Sequence, residues 1–252
     1  MNLIFSIFFG ALGAILGSFS GVIAERMHTG EKWANDRSRC NSCSRTLRAA
    51  DLVPVLSWLF SKGRCRECKS KIPARYLAFE IFLAIAFVFS YQMFGLSLSL
   101  FVFLSALVTL AVIVWYDLLH MIVPSLFSLL FVGFSLLFAS LRFSDTATLG
   151  MVFMQAAGIA FVIFLFYALS GGRAMGLGDT PVALGLALLA GGNAISGLVF
   201  SFWIGAVIGI FILFAHRKGT RMGIEVPFVP FLASGFLLAI FTGWNVSSLI
   251  AF

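Results

Sequence analysis

Long apolar runs dominate this chain, and its polar residues fall in a few breaks between them. A bilayer's hydrocarbon core takes about 17–25 apolar residues per helix. Runs of that kind lie at about 3 to 24, 77 to 94, 96 to 116, 121 to 141, 148 to 170, 180 to 192, 194 to 215 and 226 to 250. The pattern predicts an all-α polytopic membrane protein of about eight transmembrane helices, the sixth of them short. It also divides the chain into a first helix over 1–24, a hydrophilic loop over 25–76 and a seven-helix region over 77–252. No basic residue precedes the apolar run from Leu3 to Ile23, so the charged leading region of a signal peptide is missing and the run reads as a retained first span.

Composition agrees with that pattern. Of the 252 residues 61% are hydrophobic and 11% charged, against about 45–50% apolar in ordinary soluble domains, and the mean hydropathy is +1.05. A net charge of +7 raises the question of nucleic acid, but 12 of the 17 Lys and Arg lie between Arg26 and Arg75. Basic residues gathered in one loop mark membrane orientation instead, so no nucleic-acid partner is expected. Threading the runs through a bilayer puts the loops around 25–76, 117–120, 171–179 and 216–225 on one side, with Arg173, Arg217, Lys218 and Arg221 added to the basic dozen. The opposite loops hold only Arg142, beside Asp145. The first side is therefore read as cytoplasmic, with both termini outside. The basic loop also suits contacts with lipid headgroups.

The loop carries all four cysteines of the chain, as Cys40-Asn41-Ser42-Cys43 and Cys65-Arg66-Glu67-Cys68. Two CxxC pairs supply four thiolates, and each short knuckle lets two sulfurs reach one tetrahedral Zn²⁺. Disulfides or free thiols are the alternative, which a reducing cytoplasmic side disfavours. A zinc held by Cys40, Cys43, Cys65 and Cys68 would be structural, because four protein ligands leave no position for water.

Two acidic residues fall at the ends of apolar runs. Asp117 follows Trp115 and Tyr116, which suit an interface belt, and Asp179 closes Met175-Gly176-Leu177-Gly178-Asp179. Ionisable residues at membrane depth are costly and mark functional sites. Spans four and five intervene between them, so the threading returns both to the cytoplasmic face. Two carboxylates held close share a proton and can activate a water between them. Glycines at 176 and 178 suggest a backbone needing positive φ or the close approach of a substrate strand. Each acid also has a plain reading: Asp179 or Thr180 ahead of Pro181 makes a good helix cap, and Asp117 suits an interfacial carboxylate. Glu80, inside the second span, is a third buried carboxylate whose role stays open. His28, His120 and His216 share no metal-like spacing, and Gly205 to Gly209 is a GxxxG of the helix-packing kind.

Taken in order, these residues resemble a known family. They comprise Gly17-Ser18-Phe19, the double CxxC loop with Pro54-Val55-Leu56-Ser57-Trp58-Leu59 and Gly63-Arg64-Cys65, and Ala74-Arg75-Tyr76 leading to Glu80. Asp117 seven residues before Pro124, the Met175–Asp179 stretch, and Pro227-Phe228-Val229-Pro230-Phe231-Leu232-Ala233 complete the set. The chain resembles the bacterial type IV prepilin peptidases, GxGD-type membrane aspartyl proteases. That resemblance implies a peptidase removing the short basic leader of prepilins or pseudopilins at the cytoplasmic face of the bacterial inner membrane, then methylating the new N-terminus from S-adenosylmethionine. It implies Asp117 and Asp179 as the catalytic pair, Gly176 and Gly178 as the active-site loop, 77–252 as the peptidase region and the four cysteines as zinc ligands. No residue is assigned to the methyl donor. Gly21, Leu119, Ser125, Pro181 and Val229 stand where Asn, Asp, Asp or Asn, Lys and Gly are common. A transporter or channel using the two acids as ion sites, or a non-catalytic pilin assembly factor, would instead show ion flux without cleavage, or function without the acids.

Overall fold

The computed structural model describes residues 3–29, 37–173, 175–215 and 226–246. Among these the chain is helical, with two isolated β-bridges and no strand. The helices are α1 (Leu3–Thr29), α2 (Leu56–Phe60), α3 (Ala74–Phe94), α4 (Leu98–His120), α5 (Ser125–Arg142), α6 (Thr146–Ser170), α7 (Asp179–Ala190), α8 (Ala194–Ala215) and α9 (Val229–Thr242). Six stretches are long and apolar enough to cross a membrane, one of them running from Asp179 to Phe214 through α7 and α8, and α9 is a shorter apolar helix. This is a multi-pass membrane protein. Its helices outlast the predicted runs by close to a turn or more at three ends: α1 continues to Thr29, α3 starts at Ala74, and α4 carries on through Asp117 to His120. Hydropathy alone stops early there because the added turns are polar, yet their backbone bonds continue unbroken. His216, Arg217, Lys218 and Arg221 lie outside the described residues, as does the side chain of His28.

Two compact units divide the chain, Met1–Leu100 and Phe101–Phe252. In the first, α1 lies against α3 at close range. A Cβ on Gly13 would stand 2.5 Å from the Leu83 carbonyl oxygen, and one on Gly17 would stand 3.0 Å from that of Phe79. Small residues at such a crossing let two backbones approach, which is how helices pack without a hydrophobic driving force in lipid. At the loop end Tyr76 donates a hydrogen bond to the Glu25 carboxylate, tying the two helices again.

In the second unit the order of contacts fixes the directions of the helices. Gly178 meets Val123, Gly185 meets Phe131, and Gly191 meets Phe143, so α5 and α7 run parallel. Ser196 bonds Asn245 at 3.1 Å, the Ser201 hydroxyl donates to the Leu232 carbonyl at 3.2 Å and Gly205 faces Phe231, so α8 and α9 run antiparallel. The turn at Gly191–Asn193 separates α7 and α8 as two helices, as the run pattern predicts, within one apolar stretch from Asp179 to Phe214. The close crossing of α8 on α9 is made at Gly197 and Gly235. The predicted GxxxG takes only a half share, since Gly205 touches Phe231 but no atom lies within 4 Å of a Cβ placed on Gly209.

Candidate active site and metal centre

Asp117 sits in the last turn of α4, two residues after the buried Trp115. The helix ends at Met121, whose φ of 55° breaks the repeat. The Asp117 carboxylate is buried and accepts the Val229 N–H at 3.2 Å. Val229 is the first residue of α9, followed by Pro230, so this bond satisfies an amide that the helix itself leaves unpaired. A carboxylate at a helix N-terminus also meets the positive end of its dipole.

Asp179 is the first residue of α7, not its cap, which is Gly178. Its buried carboxylate turns back to accept the Gly176 N–H at 3.1 Å, while its own N–H donates to the Gly176 carbonyl at 3.2 Å. This reciprocal pair closes the Gly176–Asp179 loop on itself and aims the acid. The two carboxylates are near enough to interact electrostatically. Fold topology thus brings together Asp117, Asp179 and the start of α9 at one end of the second unit.

The glycines act differently from the sequence expectation. Neither Gly176 nor Gly178 has a positive φ, and Gly178 lies at φ −63° in the helical region. Gly178 is needed for space, because a Cβ there would stand 2.6 Å from the Val123 Cβ. Gly178→Ala is expected to push the 176–179 loop off the α4–α5 link, costing about 1–3 kcal/mol as overpacking does. Thermal unfolding in detergent and the cleavage rate of the variant check this, and wild-type values for both would remove the steric role.

The four-cysteine loop is built from two knuckles of matching geometry. Cys40 donates its N–H to the Arg45 carbonyl at 2.9 Å and accepts from Ser44, and Cys65 repeats this with Ser70 and Lys69. Ser44 and Lys69 take the corresponding positive φ of 55° and 59°. Bridges pair Arg39 with Thr46 and Arg64 with Lys71. The donor sulfurs of Cys40, Cys43, Cys65 and Cys68 lie within 4.8 Å of one another, and those of Cys40 and Cys68 are 3.8 Å apart. A tetrahedron with metal–sulfur bonds of about 2.3 Å has edges of about 3.8 Å, so the set fits a metal ion. The same distance is far beyond the roughly 2.05 Å of a disulfide. N–H groups of Ser42 and Cys43 bring the Cys40 thiol down to about 6. At Cys43 the Arg45 N–H works the same way, but desolvation and the crowding sulfurs of Cys68 and Cys40 outweigh it and push the thiol up to about 11. A divalent cation among the sulfurs would remove that conflict.

Ion pairs lock one knuckle to the other. Asp51 pairs with Arg45 at 3.0 Å and Arg66 at 3.1 Å, and Arg45 reaches Glu67 at 3.2 Å. Burial works to raise the Asp51 carboxyl, yet the Arg48 N–H and the two guanidinium groups prevail and hold it below the ordinary 3.8. A depressed carboxylate contributes stability that is present above 3.8 and lost as pH falls through its lower folded value. Protection of the Arg48 amide, relative to its intrinsic exchange rate, is expected to hold down to that window and fall below it, while Asp51→Ala should lower it at every pH.

Relatives with matching sequence decide the family. Residues 11–94 match the family described as Bacterial Peptidase A24 N-terminal domain. The Prepilin leader peptidase/N-methyltransferase of Bacillus subtilis (strain 168) is 33% identical over 245 residues, covering 94% of each chain. The chain belongs to the prepilin leader peptidase/N-methyltransferase family. Other members include those of Dichelobacter nodosus, 30% identical over 85% of this chain and 74% of that one, and Burkholderia pseudomallei (strain 1026b), 30% identical over 96% and 86%. No solved structure matches the chain.

Sequence reasoning missed one member of this prepilin peptidase's framework and left the role of a second open. The Val229 amide gave no signal, because a backbone group 112 residues from Asp117 carries no side-chain mark. Glu80, left open above, accepts the Val55 N–H at 2.6 Å and so anchors the loop segment Pro54–Phe60 to α3. Val55 has φ 61°, a conformation that a β-branched residue takes only when its surroundings impose it.

Proposed function

We propose that this protein cleaves the leader of type IV prepilins or pseudopilins with an Asp117–Asp179 dyad and then methylates the exposed N-terminus. The observation that carries the reading is the meeting of Asp117 and Asp179 at one end of the second unit, each with one oxygen held by a backbone N–H. Fixing one oxygen leaves the other on each side for a water. The ionised acid takes the water's proton, and the protonated acid donates to the peptide carbonyl as the water attacks it. The pair then passes the proton to the leaving amine, and the two acids titrate as one unit throughout. Asp117 further benefits from the α9 dipole, which favours its ionised form.

In this reading the four-cysteine loop lies between α1 and α3, and the membrane peptidase region begins with α3. Zinc is the ion that suits four thiolates in a closed tetrahedral set, and bound there it supplies a rigid cross-link with no part in hydrolysis. The loop and the acids face the cytoplasm at the inner membrane in this reading, where the leader is accessible and lipid surrounds the helices; the basic residues gathered in the loop support that orientation. S-adenosylmethionine supplies the methyl group in the second activity, with no residue assigned to hold it.

Purified protein incubated with a prepilin, with and without S-adenosylmethionine, tests both steps through the product's N-terminal mass. Loss of the leader in both mixtures and a further methyl mass only with the methyl donor is the expected result. An intact prepilin would overturn the peptidase reading, and an unmethylated product would overturn the second activity alone.

A further inference from the structure

The loop that holds the cysteines is not polar throughout. Leu52, Val53, Leu56, Leu59 and Phe60 are all exposed, Phe60 at 79% of its surface, and they cluster on and beside α2. A soluble loop seldom shows so much contiguous apolar surface without a partner. We propose that this segment is a membrane-interface wedge that seats in the headgroup and upper acyl region of the bilayer beside α3.

Three observations converge on lipid as the occupant. Glu80 holds the Val55 N–H, and Glu80 stands six residues into α3, which is about 9 Å along a helix axis. Because α3 is long and apolar enough to be a span, this bond sets the wedge about one to two turns below the level where the span begins. Interfacial segments bury their apolar faces to a depth of about 5–10 Å, so the level is the right one. Below it α3 presents Ile81, Phe82, Ile85 and Phe89 to the outside, and the wedge continues that lipid-facing band. Charge completes the match: Arg48, Lys62, Arg64 and Arg75 are exposed around the segment, and Arg75 lies over the Tyr76 ring at 5.7 Å from its centroid. Cationic and aromatic side chains at this height are the usual companions of an anionic lipid surface. A wedge on this anchor sets the height of the metal knuckles above the bilayer, since Cys65 follows Phe60 by five residues. The inference stands on the first unit alone and is independent of leader cleavage.

Full-length protein carrying the photo-crosslinker benzoylphenylalanine in place of Phe60, in nanodiscs of phosphatidylcholine and phosphatidylglycerol, tests it. The probe replaces an exposed side chain, so the fold is undisturbed, and a second protein carries it in place of Ser42 on the first knuckle. Intact mass after irradiation is expected to show phospholipid adducts at position 60 that exceed those at 42 by about tenfold or more. Equal yields at the two positions would overturn the wedge. So would a probe at 60 that captures the chain itself, or a supplied pseudopilin peptide, in place of lipid. No adduct at either position would do the same.

Discussion

Asp117→Asn and Asp179→Asn are each expected to remove leader cleavage while leaving the protein folded and inserted. Asparagine keeps the shape and one carbonyl oxygen, so it can still accept the Val229 N–H at position 117 or the Gly176 N–H at position 179. What it loses is the capacity to carry and release a proton. General acid–base groups contribute about 10²–10⁴-fold, and a dyad acting as one unit loses most of its power when either half goes. The cleavage rate in proteoliposomes should therefore fall by about three orders of magnitude or to nothing, with unchanged thermal unfolding. A variant that still cleaves at the wild-type rate would remove that acid from the chemistry. Alanine at either position is a poorer test, because it also strips the amide of its acceptor and loosens α9 or the 176–179 loop.

Cys40→Ser should act on structure and not directly on chemistry. Structural zinc contributes about 10–16 kcal/mol of apparent binding energy in small zinc domains, all of it dependent on a complete ligand set. A loop of this size has little core of its own, and apart from the Asp51 ion pairs and the Glu80 anchor it relies on the cluster. The variant is expected to lose its metal, as measured by atomic absorption, and to be cut rapidly by trypsin among Arg39, Arg45 and Arg48. Chelator treatment of the wild type should reproduce that digestion pattern. Metal content and digestion rate equal to the untreated wild type would refute a metal-bearing loop.

Much of the architecture was legible because lipid leaves so few choices: a run of apolar residues has to become a helix, and polar breaks have to lie between helices. The short sixth helix and the four-thiol cluster were equally readable, since each follows from spacing within a few residues. The ends of helices were not. Asp117 to His120 reads as a loop, yet α4 keeps its backbone bonds to His120, and only the positive φ of Met121 stops it. The positive φ expected of Gly176 and Gly178 is absent, and the space that Gly178 yields to Val123 could not be read because it exists only once α5 and α7 lie side by side. Partners far along the chain, Val229 for Asp117 and Val55 for Glu80, are backbone amides and leave no trace in composition.

The two helices that begin at the site, α7 at Asp179 and α9 at Val229, are also short. α7 has 12 residues and α9 has 14, which span about 18 and 21 Å along their axes, while the oily slab of a bilayer is about 30 Å thick. A rod about 10 Å shorter than the slab has to draw the bilayer surface toward it, by local thinning, for both of its ends to meet water. A hydrolytic reaction consumes solvent, and ordinary hydrocarbon would starve it. In the proposed reaction, such thinning beside α7 and α9 would bring solvent nearer the buried carboxylates without drawing the pilin helix out of the membrane.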